Sequence, residues 1–202
     1  DLEIEMVDRG GFETSDADYA KVVRQIIDEE IGQGEGANLV VGRRYTAKVA
    51  DWGHERALSV FRRLLERERG SFWTFCIFTG DRYLIGASPE RHVSLDAGQL
   101  RMNPISGTFR MRGLDTNADR KRELLKFLAD EKEIYELFMV VDEELKMMCD
   151  LCHEGGLVLG PYLKPMTHLV HTEYLLAGRT DLDPRVILRD SMFAATVTGS
   201  PV

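Results

Sequence analysis

Residues 72–87 read FWTFCIFTGDRYLIGA, and this stretch decides the class of fold. Two runs of aromatic and β-branched residues, 72–79 and 83–87, flank Gly80-Asp81, and this pattern predicts a β-hairpin. A second hairpin is expected to turn at Asp96-Ala97-Gly98-Gln99. The chain therefore builds at least part of its sheet from antiparallel neighbours.

Three segments carry apolar residues at helical spacing: residues 16–31, 55–68 and 118–154. The third is the longest and ends at Gly155-Gly156; whether it is broken once is left open. A further strand is expected over residues 38–49. Hairpins alternating with helices, without a regular strand-helix-strand series, predict an α+β fold with largely antiparallel sheets packed against helices.

Composition excludes several classes of protein. The chain has 202 residues, of which 44% are hydrophobic and 30% charged, so a disordered chain is excluded. A net charge of -8 and the lack of a basic run argue against a nucleic-acid partner. No apolar run approaches the roughly 20 residues needed to span a bilayer, and the first residues do not resemble a signal peptide. We therefore predict a cytoplasmic protein that does not bind membranes.

Three cysteines, Cys76, Cys149 and Cys152, fit a reducing compartment better than a disulfide framework. The run Cys149-Asp150-Leu151-Cys152-His153 matches a haem-attachment pattern. Because it lies within a helical pattern and lacks a second pair of metal ligands, we favour ordinary thiols on a helix over haem or metal.

Glu133 and Glu136 are three residues apart on a predicted helix, so their side chains leave from one face. Two such carboxylates can share Mg²⁺, which favours few protein carboxylates and takes its other oxygens from substrate and water. The alternative is a solvated acidic surface, since several further acidic residues are close in sequence: Asp130, Glu131, Asp142, Glu143 and Glu144.

Glu90 follows a proline at the end of a predicted strand, where a rigid scaffold can aim its carboxyl group into a cleft. Burial would raise its pKa and allow it to act as a general acid. The alternative is a surface glutamate paired with Arg91 or Arg110.

Gly107-Thr108 offers backbone N–H groups and a hydroxyl at an expected turn that no side chain obstructs, which suits a carboxylate ligand. A plain β-turn is the alternative. His168 stands beside apolar residues, where a histidine is often only a hydrogen-bonded structural group.

Five segments together resemble the chorismate-utilising enzymes, which include anthranilate synthase component I and the aminodeoxychorismate, isochorismate and salicylate synthases. The segments are Ser88-Pro89-Glu90, Pro104-Ile105-Ser106-Gly107-Thr108, Lys132-Glu133-Ile134-Tyr135-Glu136, His168-Leu169-Val170 and Thr196-Val197-Thr198-Gly199-Ser200-Pro201.

The resemblance implies roles for these residues. It makes Glu133 and Glu136 ligands of Mg²⁺ and makes Glu90 the acid that protonates the departing C4 hydroxyl of chorismate. It places His168 beside the substrate ring. The residues implied to contact substrate are Ser106, Gly107, Thr108 and Thr196.

Two positions distinguish among the family's reactions. Ser106 stands where the aminodeoxychorismate synthases carry a nucleophilic lysine, so a covalent lysine intermediate is not expected. Asn38 stands where the isochorismate and salicylate synthases carry a lysine that activates water. Because an amide cannot act as a general base at neutral pH, whereas ammonia needs only to be positioned, Asn38 favours amination at C2.

Residues 34–38, 103–110 and 192–202 look most like the phenazine-pathway members of the family. These members add ammonia at C2 of chorismate, lose the C4 hydroxyl and form 2-amino-2-desoxyisochorismate. Anthranilate synthase component I, which then eliminates pyruvate, is one alternative, and Ala195 and Val202 depart from its pattern. A non-catalytic interaction module that keeps the fold is another.

The chain starts at Asp1 without methionine and stops at Val202 directly after Gly-Ser-Pro. We therefore expect residues 1–202 to be the central part of a single chorismate-binding catalytic domain, lacking its N-terminal part, its C-terminal strands and any glutaminase domain. The resemblance implies that a fused or separate glutaminase supplies ammonia from glutamine. A homodimer is left open.

Overall fold

The structure is a computed structural model that describes residues 2–36 and 39–196. These residues form helices and antiparallel sheets, so the predicted α+β class is confirmed. The chain divides into two compact units, one reaching to Val60 and the other beginning at Phe61. None of the helices in the described ranges is long and apolar enough to cross a membrane.

The first unit contains one two-stranded antiparallel sheet. Its elements are β1 (Met6–Phe12), α1 (Asp16–Gln25) and β2 (Tyr45–Val49). Ser15 begins α1 because its side chain accepts a hydrogen bond from the backbone N–H of Asp18 at 3.1 Å. The predicted helix over residues 16–31 is confirmed, although its last six residues, Ile26–Ile31, are π-helical.

The prediction of a strand over residues 38–49 is wrong for most of its length, because β2 covers only Tyr45–Val49. Residues 39–44 are irregular. Within this segment the Arg43 guanidinium donates to the Thr14 carbonyl and lies 4.0 Å from the centre of the Phe12 ring. Strand β1 was not predicted; it is exposed throughout and contains two glycines, so it lacks the alternation that burial imposes.

The hairpin predicted from residues 72–87 is confirmed. Helix α2 (His54–Arg67) precedes it, and strands β3 (Trp73–Phe78) and β4 (Tyr83–Ser88) pair in continuous antiparallel register. Gly80 has a φ of +107°, which suits glycine in the connecting turn. The proline-glutamate pair that follows β4 therefore leaves the end of a well-defined strand.

A five-stranded antiparallel sheet forms the centre of the second unit. Its strands are β5 (Ser94–Asp96), β6 (Gln99–Met102), β7 (Ile105–Arg110), β8 (Leu157–Pro165) and β9 (Leu169–Arg179). Strand β9 pairs with β7 through its first half, with β6 through its second half and with β8 along most of its length. The hairpin predicted at residues 96–99 is the β5–β6 connection.

Three helices complete this unit: α3 (Asn117–Leu128), α4 (Glu131–Leu151) and α5 (Pro184–Asp190). The long helical region is broken once, at Ala129-Asp130, where the Asp130 side chain caps α4 by accepting from the Lys132 N–H at 2.9 Å. Helix α4 packs against β7 and β9. The core between them contains Leu100, Met102, Leu137, Val141, Met148, Leu151, Tyr174 and Leu176.

Candidate active site

Helix α4 carries carboxylates at two levels. Glu133 and Glu136 lie in its first turns, whereas Glu144 follows eight residues later, about 12 Å further along the helix axis. We call Glu133 and Glu136 the metal pair. We call Glu144, together with Glu90 and Thr196, the acid cluster. All of these residues belong to the second unit.

The metal pair shares one face of α4, as the spacing predicts. Lys132 Nζ lies 3.0 Å from Glu133 Oε1 and 2.6 Å from Glu136 Oε2, and these contacts raise the pKa of the lysine. Ser106 Oγ donates to Glu136 Oε1 at 3.1 Å. A strand of the central sheet thus touches the carboxylates of the helix packed on it.

Gly107 allows this close approach. Residues 105–110 form strand β7 with a bulge at Gly107, whose φ is +65°, so the expected turn at this point is wrong. A Cβ at position 107 would lie 2.8 Å from Glu133 Oε2 and 2.9 Å from Phe127 Cζ. The Thr172 hydroxyl donates to the Ser106 carbonyl at 2.6 Å and helps to fix the bulge.

The oxygen atoms of the metal pair and of Ser106 suit a hard cation. Glu133 Oε2 is buried and has no hydrogen-bond partner in the described part of the chain, so this oxygen is available to bind a cation. Two carboxylates and one hydroxyl suit Mg²⁺, which needs few protein ligands. Residues 2–36 and 39–196 bring together no group of three or more histidine, cysteine, aspartate or glutamate side chains that could hold a metal ion, so the metal pair is joined by no third such ligand there.

The acid cluster joins three distant parts of the chain. The Thr196 hydroxyl donates to Glu144 Oε1 at 2.6 Å, and its proximity to the Glu90 carboxyl group acts to lower the pKa of Glu90. The pKa of both glutamates is raised to about 7, mainly because they are buried; Thr196 opposes this rise in both, and the charge of Glu144 adds to it in Glu90. A carboxyl group with this pKa can donate a proton near neutral pH.

Glu90 is not the surface partner of a neighbouring arginine. Arg91 instead lies 4.4 Å above the Phe72 ring and bonds to Ser94 at 3.4 Å. No ion pair of the described residues involves Glu90, and one of its oxygens is buried without a hydrogen-bond partner there. These contacts remove the alternative in which Glu90 pairs with Arg91 or Arg110.

His168 and Thr108 are not joined to either level by a hydrogen bond between described residues. His168 is exposed in the turn between β8 and β9, where its backbone carbonyl accepts from Met111, and it lines a cavity with Arg112 and Arg120. Thr108 is exposed on β7 beside His171, whose Nδ1 donates to the Gly107 carbonyl at 2.8 Å. Asn38 lies outside the described residues.

The placement of Glu144 on a solvated acidic surface is wrong, because its side chain is only 1% exposed. Its signal is its position: buried side chains recur at Leu137, Val141, Met148 and Leu151, and Glu144 occupies the same stripe. An acidic residue on an apolar helix face is rarely buried without a reason, because desolvating a carboxylate is costly. The apolar side chain at helical spacing in this part of α4 is the neighbouring Leu145, although it is only partly buried, so the apolar pattern did not point to position 144.

The cysteine-histidine run at the end of α4 is split by the fold. Cys149 is exposed and Cys152 is buried in the core, where burial raises the pKa of its thiol. His153 Nε2 lies 2.6 Å from the carboxylate of Asp181. This geometry agrees with the interpretation of these cysteines as ordinary thiols.

The chain is similar in sequence to a known family of enzymes. The sequence matches the chorismate binding enzyme family over residues 6–202. It is 56% identical over 191 residues to "Anthranilate synthase, phenazine specific" of Pseudomonas chlororaphis, covering 95% of this chain and 30% of that protein. It is 31% identical to anthranilate synthase component 1 of Spirochaeta aurantia, covering all of this chain and 40% of that protein.

The fold agrees with these similarities. Anthranilate synthase component I from Streptococcus pneumoniae superimposes with a TM-score of 0.76 at 22% identity, over 94% of this chain and 40% of that one. The chain belongs to the chorismate binding enzyme family, and it spans about a third of the length of the relatives named above. The roles of individual site residues remain predictions.

Proposed function

We propose that this chain supplies the acid cluster and the metal pair of an enzyme that aminates chorismate at C2. The C2–N bond forms as ammonia attacks, the ring double bonds shift, and the C4–O bond breaks. The departing hydroxyl takes the proton of Glu90 and leaves as water. The observation that carries this proposal is the buried, protonatable Glu90 in a chain of the chorismate binding enzyme family.

Glu133 and Glu136 would hold Mg²⁺, with Ser106 Oγ bonded to one of the carboxylates. When bound, Mg²⁺ would neutralise and orient a substrate carboxylate. Lys132 would give up its ion pairs with the two glutamates, and the Gly107 bulge keeps the space beside Glu133 open. His168, Thr108 and Asn38 keep the roles implied by the family resemblance.

The product we propose is 2-amino-2-desoxyisochorismate, with ammonia delivered from glutamine by a fused or separate glutaminase. Its support is the 56% identity to a phenazine-specific relative and the presence of Ser106 in place of a nucleophilic lysine. Anthranilate synthase chemistry is the second candidate, favoured by the name of the 56% identical relative, "Anthranilate synthase, phenazine specific", and by the 31% identity to an anthranilate synthase component 1. The two share the amination step and differ in whether pyruvate leaves.

Turnover by the full-length enzyme tests the amination step. Chorismate should be consumed only when both Mg²⁺ and ammonium are present, and Glu90→Gln should lower kcat by about 10²–10⁴-fold with KM retained. Glu143→Gln is a matched control, since Glu143 is exposed on the same helix and pairs with Lys146. Chorismate that binds but is never converted would instead favour the non-catalytic module.

A further inference from the structure

Lys132, the second residue of α4, places a cation between the two carboxylates of the metal pair. Its ammonium group lies 3.0 Å from Glu133 Oε1 and 2.6 Å from Glu136 Oε2. It thus binds one oxygen of each carboxylate. A metal ion shared by Glu133 and Glu136 would need the same place between them.

The four carboxylate oxygens of the metal pair differ in what holds them. Lys132 binds Glu133 Oε1 and Glu136 Oε2, and the Ser106 hydroxyl donates to Glu136 Oε1. Glu133 Oε2 is buried without a hydrogen-bond partner in the described part of the chain. Departure of the lysine alone would therefore leave three oxygens for a metal ion, while Ser106 keeps its bond to the fourth.

The lysine reaches this site from the solvent side. Its side chain is 69% exposed, whereas those of Glu133 and Glu136 are 20% and 30% exposed. Exposed ion pairs are weak, because water competes for both charges and a long side chain loses entropy when it is held. Lys132 can therefore swing away from the site without a change in the packing of α4.

We propose that Lys132 is a stand-in cation, which occupies the metal pair in the metal-free protein and is displaced when Mg²⁺ binds. This inference rests on the proposed function, in which Glu133 and Glu136 are the ligands of Mg²⁺. It deepens that proposal by naming a residue that sets the affinity of the site for the metal without being a ligand.

The exchange has two consequences of opposite sign. In the metal-free protein the ammonium group offsets the repulsion between two neighbouring carboxylates and holds them close together. When Mg²⁺ binds, both ion pairs of the lysine must break, which lowers the net affinity for the metal. Loss of the Lys132 charge should therefore destabilise the metal-free protein and tighten the binding of Mg²⁺.

The test measures Mg²⁺ binding to full-length enzyme by titration calorimetry. Chorismate is present and ammonium and glutamine are absent, so that substrate oxygens are in place and no amination occurs. Lys132→Met keeps most of the apolar stem and removes the charge. Because it removes two exposed ion pairs, it should tighten Mg²⁺ binding by roughly threefold to twentyfold. Lys132→Arg, which keeps a cation at this position, should not tighten it.

Lys126→Met is the matched control. Lys126 lies in the last turn of α3 and pairs with Glu123 at 3.0 Å, so this variant also loses one positive charge and one helical ion pair. Its affinity for Mg²⁺ should match that of the wild type, because the lost ion pair does not involve the metal pair.

Three outcomes would overturn the inference: equal Mg²⁺ affinity in wild type and Lys132→Met, no Mg²⁺ binding by either, or an equal gain in Lys126→Met. Failure of the proposed function has a different signature. Glu136→Gln would then bind Mg²⁺ as tightly as the wild type, whereas a loss of binding in Glu136→Gln with no gain in Lys132→Met would remove only the role of the lysine.

Discussion

At the scale of single residues, environment separates two kinds of carboxyl group in one helix. Glu133 and Glu136 both contact Lys132, and Glu136 also accepts from the Ser106 hydroxyl, so their carboxyl oxygens meet polar groups. Glu144 meets a threonine hydroxyl in the core, and burial there favours the protonated form. The same type of side chain thus meets a polar, partly exposed setting near the start of α4 and a buried one in its middle.

Glu136→Gln tests the metal pair. Removing one anionic ligand from a site with two protein carboxylates should abolish Mg²⁺-dependent turnover, while circular dichroism and the unfolding midpoint stay close to wild type because Glu136 is partly exposed. Turnover and its dependence on Mg²⁺ concentration should be measured for Glu136→Gln beside Glu143→Gln. Near-normal turnover in Glu136→Gln would remove this residue from the set of metal ligands.

The residues found from sequence share a property: each stands in a short run with a chemical pattern. Glu133 and Glu136 were predicted on one helix face, and the structure places them there. Glu144 has no such motif, because its partners Glu90 and Thr196 are distant in the chain and only folding brings them together. Spacing within a helix can be read locally, whereas a contact across 52 residues cannot.

At the scale of elements, the bulge in β7 joins strand to helix. It gives Gly107 a positive φ and places its Cα beside Glu133, Phe127 and Thr172. The segment was expected to be a turn because glycine after Pro-Ile-Ser is a typical turn signal. Its pairing with β9, which is remote in sequence, converts it into a strand, so tertiary contacts override the local signal.

Gly107→Ala tests the importance of the bulge, with Gly113→Ala as its matched control. Both glycines have positive φ, at +65° and +81°, but a Cβ at Gly113 would meet nothing within 4 Å. The backbone cost of about 1–2 kcal/mol should appear in both variants, whereas a crowding cost of about 1–3 kcal/mol should add only at Gly107. Urea unfolding of the full-length proteins measures the difference.

Gly107→Ala should also weaken the affinity for Mg²⁺, because the new methyl group must displace Glu133 Oε2. Equal stability losses in the two variants, together with unchanged Mg²⁺ dependence, would show that the bulge does not position the metal pair.

The sequence predicts elements well where its residues form a clear local pattern and poorly where they do not. The β3–β4 hairpin and α4 follow clear periodic patterns, and both predictions are confirmed. Strand β1 is exposed at every position, and β8 is exposed at eight of its nine positions, so neither shows the expected alternation. Their assignment depends on strand partners, which the chain's local pattern does not reveal.

At the scale of the whole molecule, the buried carboxyl groups should make stability depend on pH. Because the folded-state pKa of Glu144, about 7, exceeds its ordinary value of 4.5, the folded protein binds more protons than the unfolded chain between these values. The contribution of this group is therefore fully present below about pH 4.5 and is lost as the pH rises through about 7.

Glu144→Gln should remove much of that loss. Relative to wild type, its unfolding free energy should gain up to about 3 kcal/mol on going from pH 5 to pH 8, whereas Glu143→Gln should show no such gain. Urea unfolding of full-length proteins across this pH range provides the measurement. Parallel pH dependences in wild type and Glu144→Gln would mean that Glu144 titrates alike in the folded and unfolded states.

The product of the whole enzyme distinguishes amination alone from amination followed by loss of pyruvate. Full-length enzyme is incubated with chorismate, Mg²⁺ and ammonium, and the product is identified by mass while pyruvate is followed with lactate dehydrogenase and anthranilate by fluorescence. We expect 2-amino-2-desoxyisochorismate to accumulate with its enolpyruvyl ether intact and without pyruvate. Stoichiometric release of anthranilate and pyruvate would contradict this and assign the chain to anthranilate synthase chemistry.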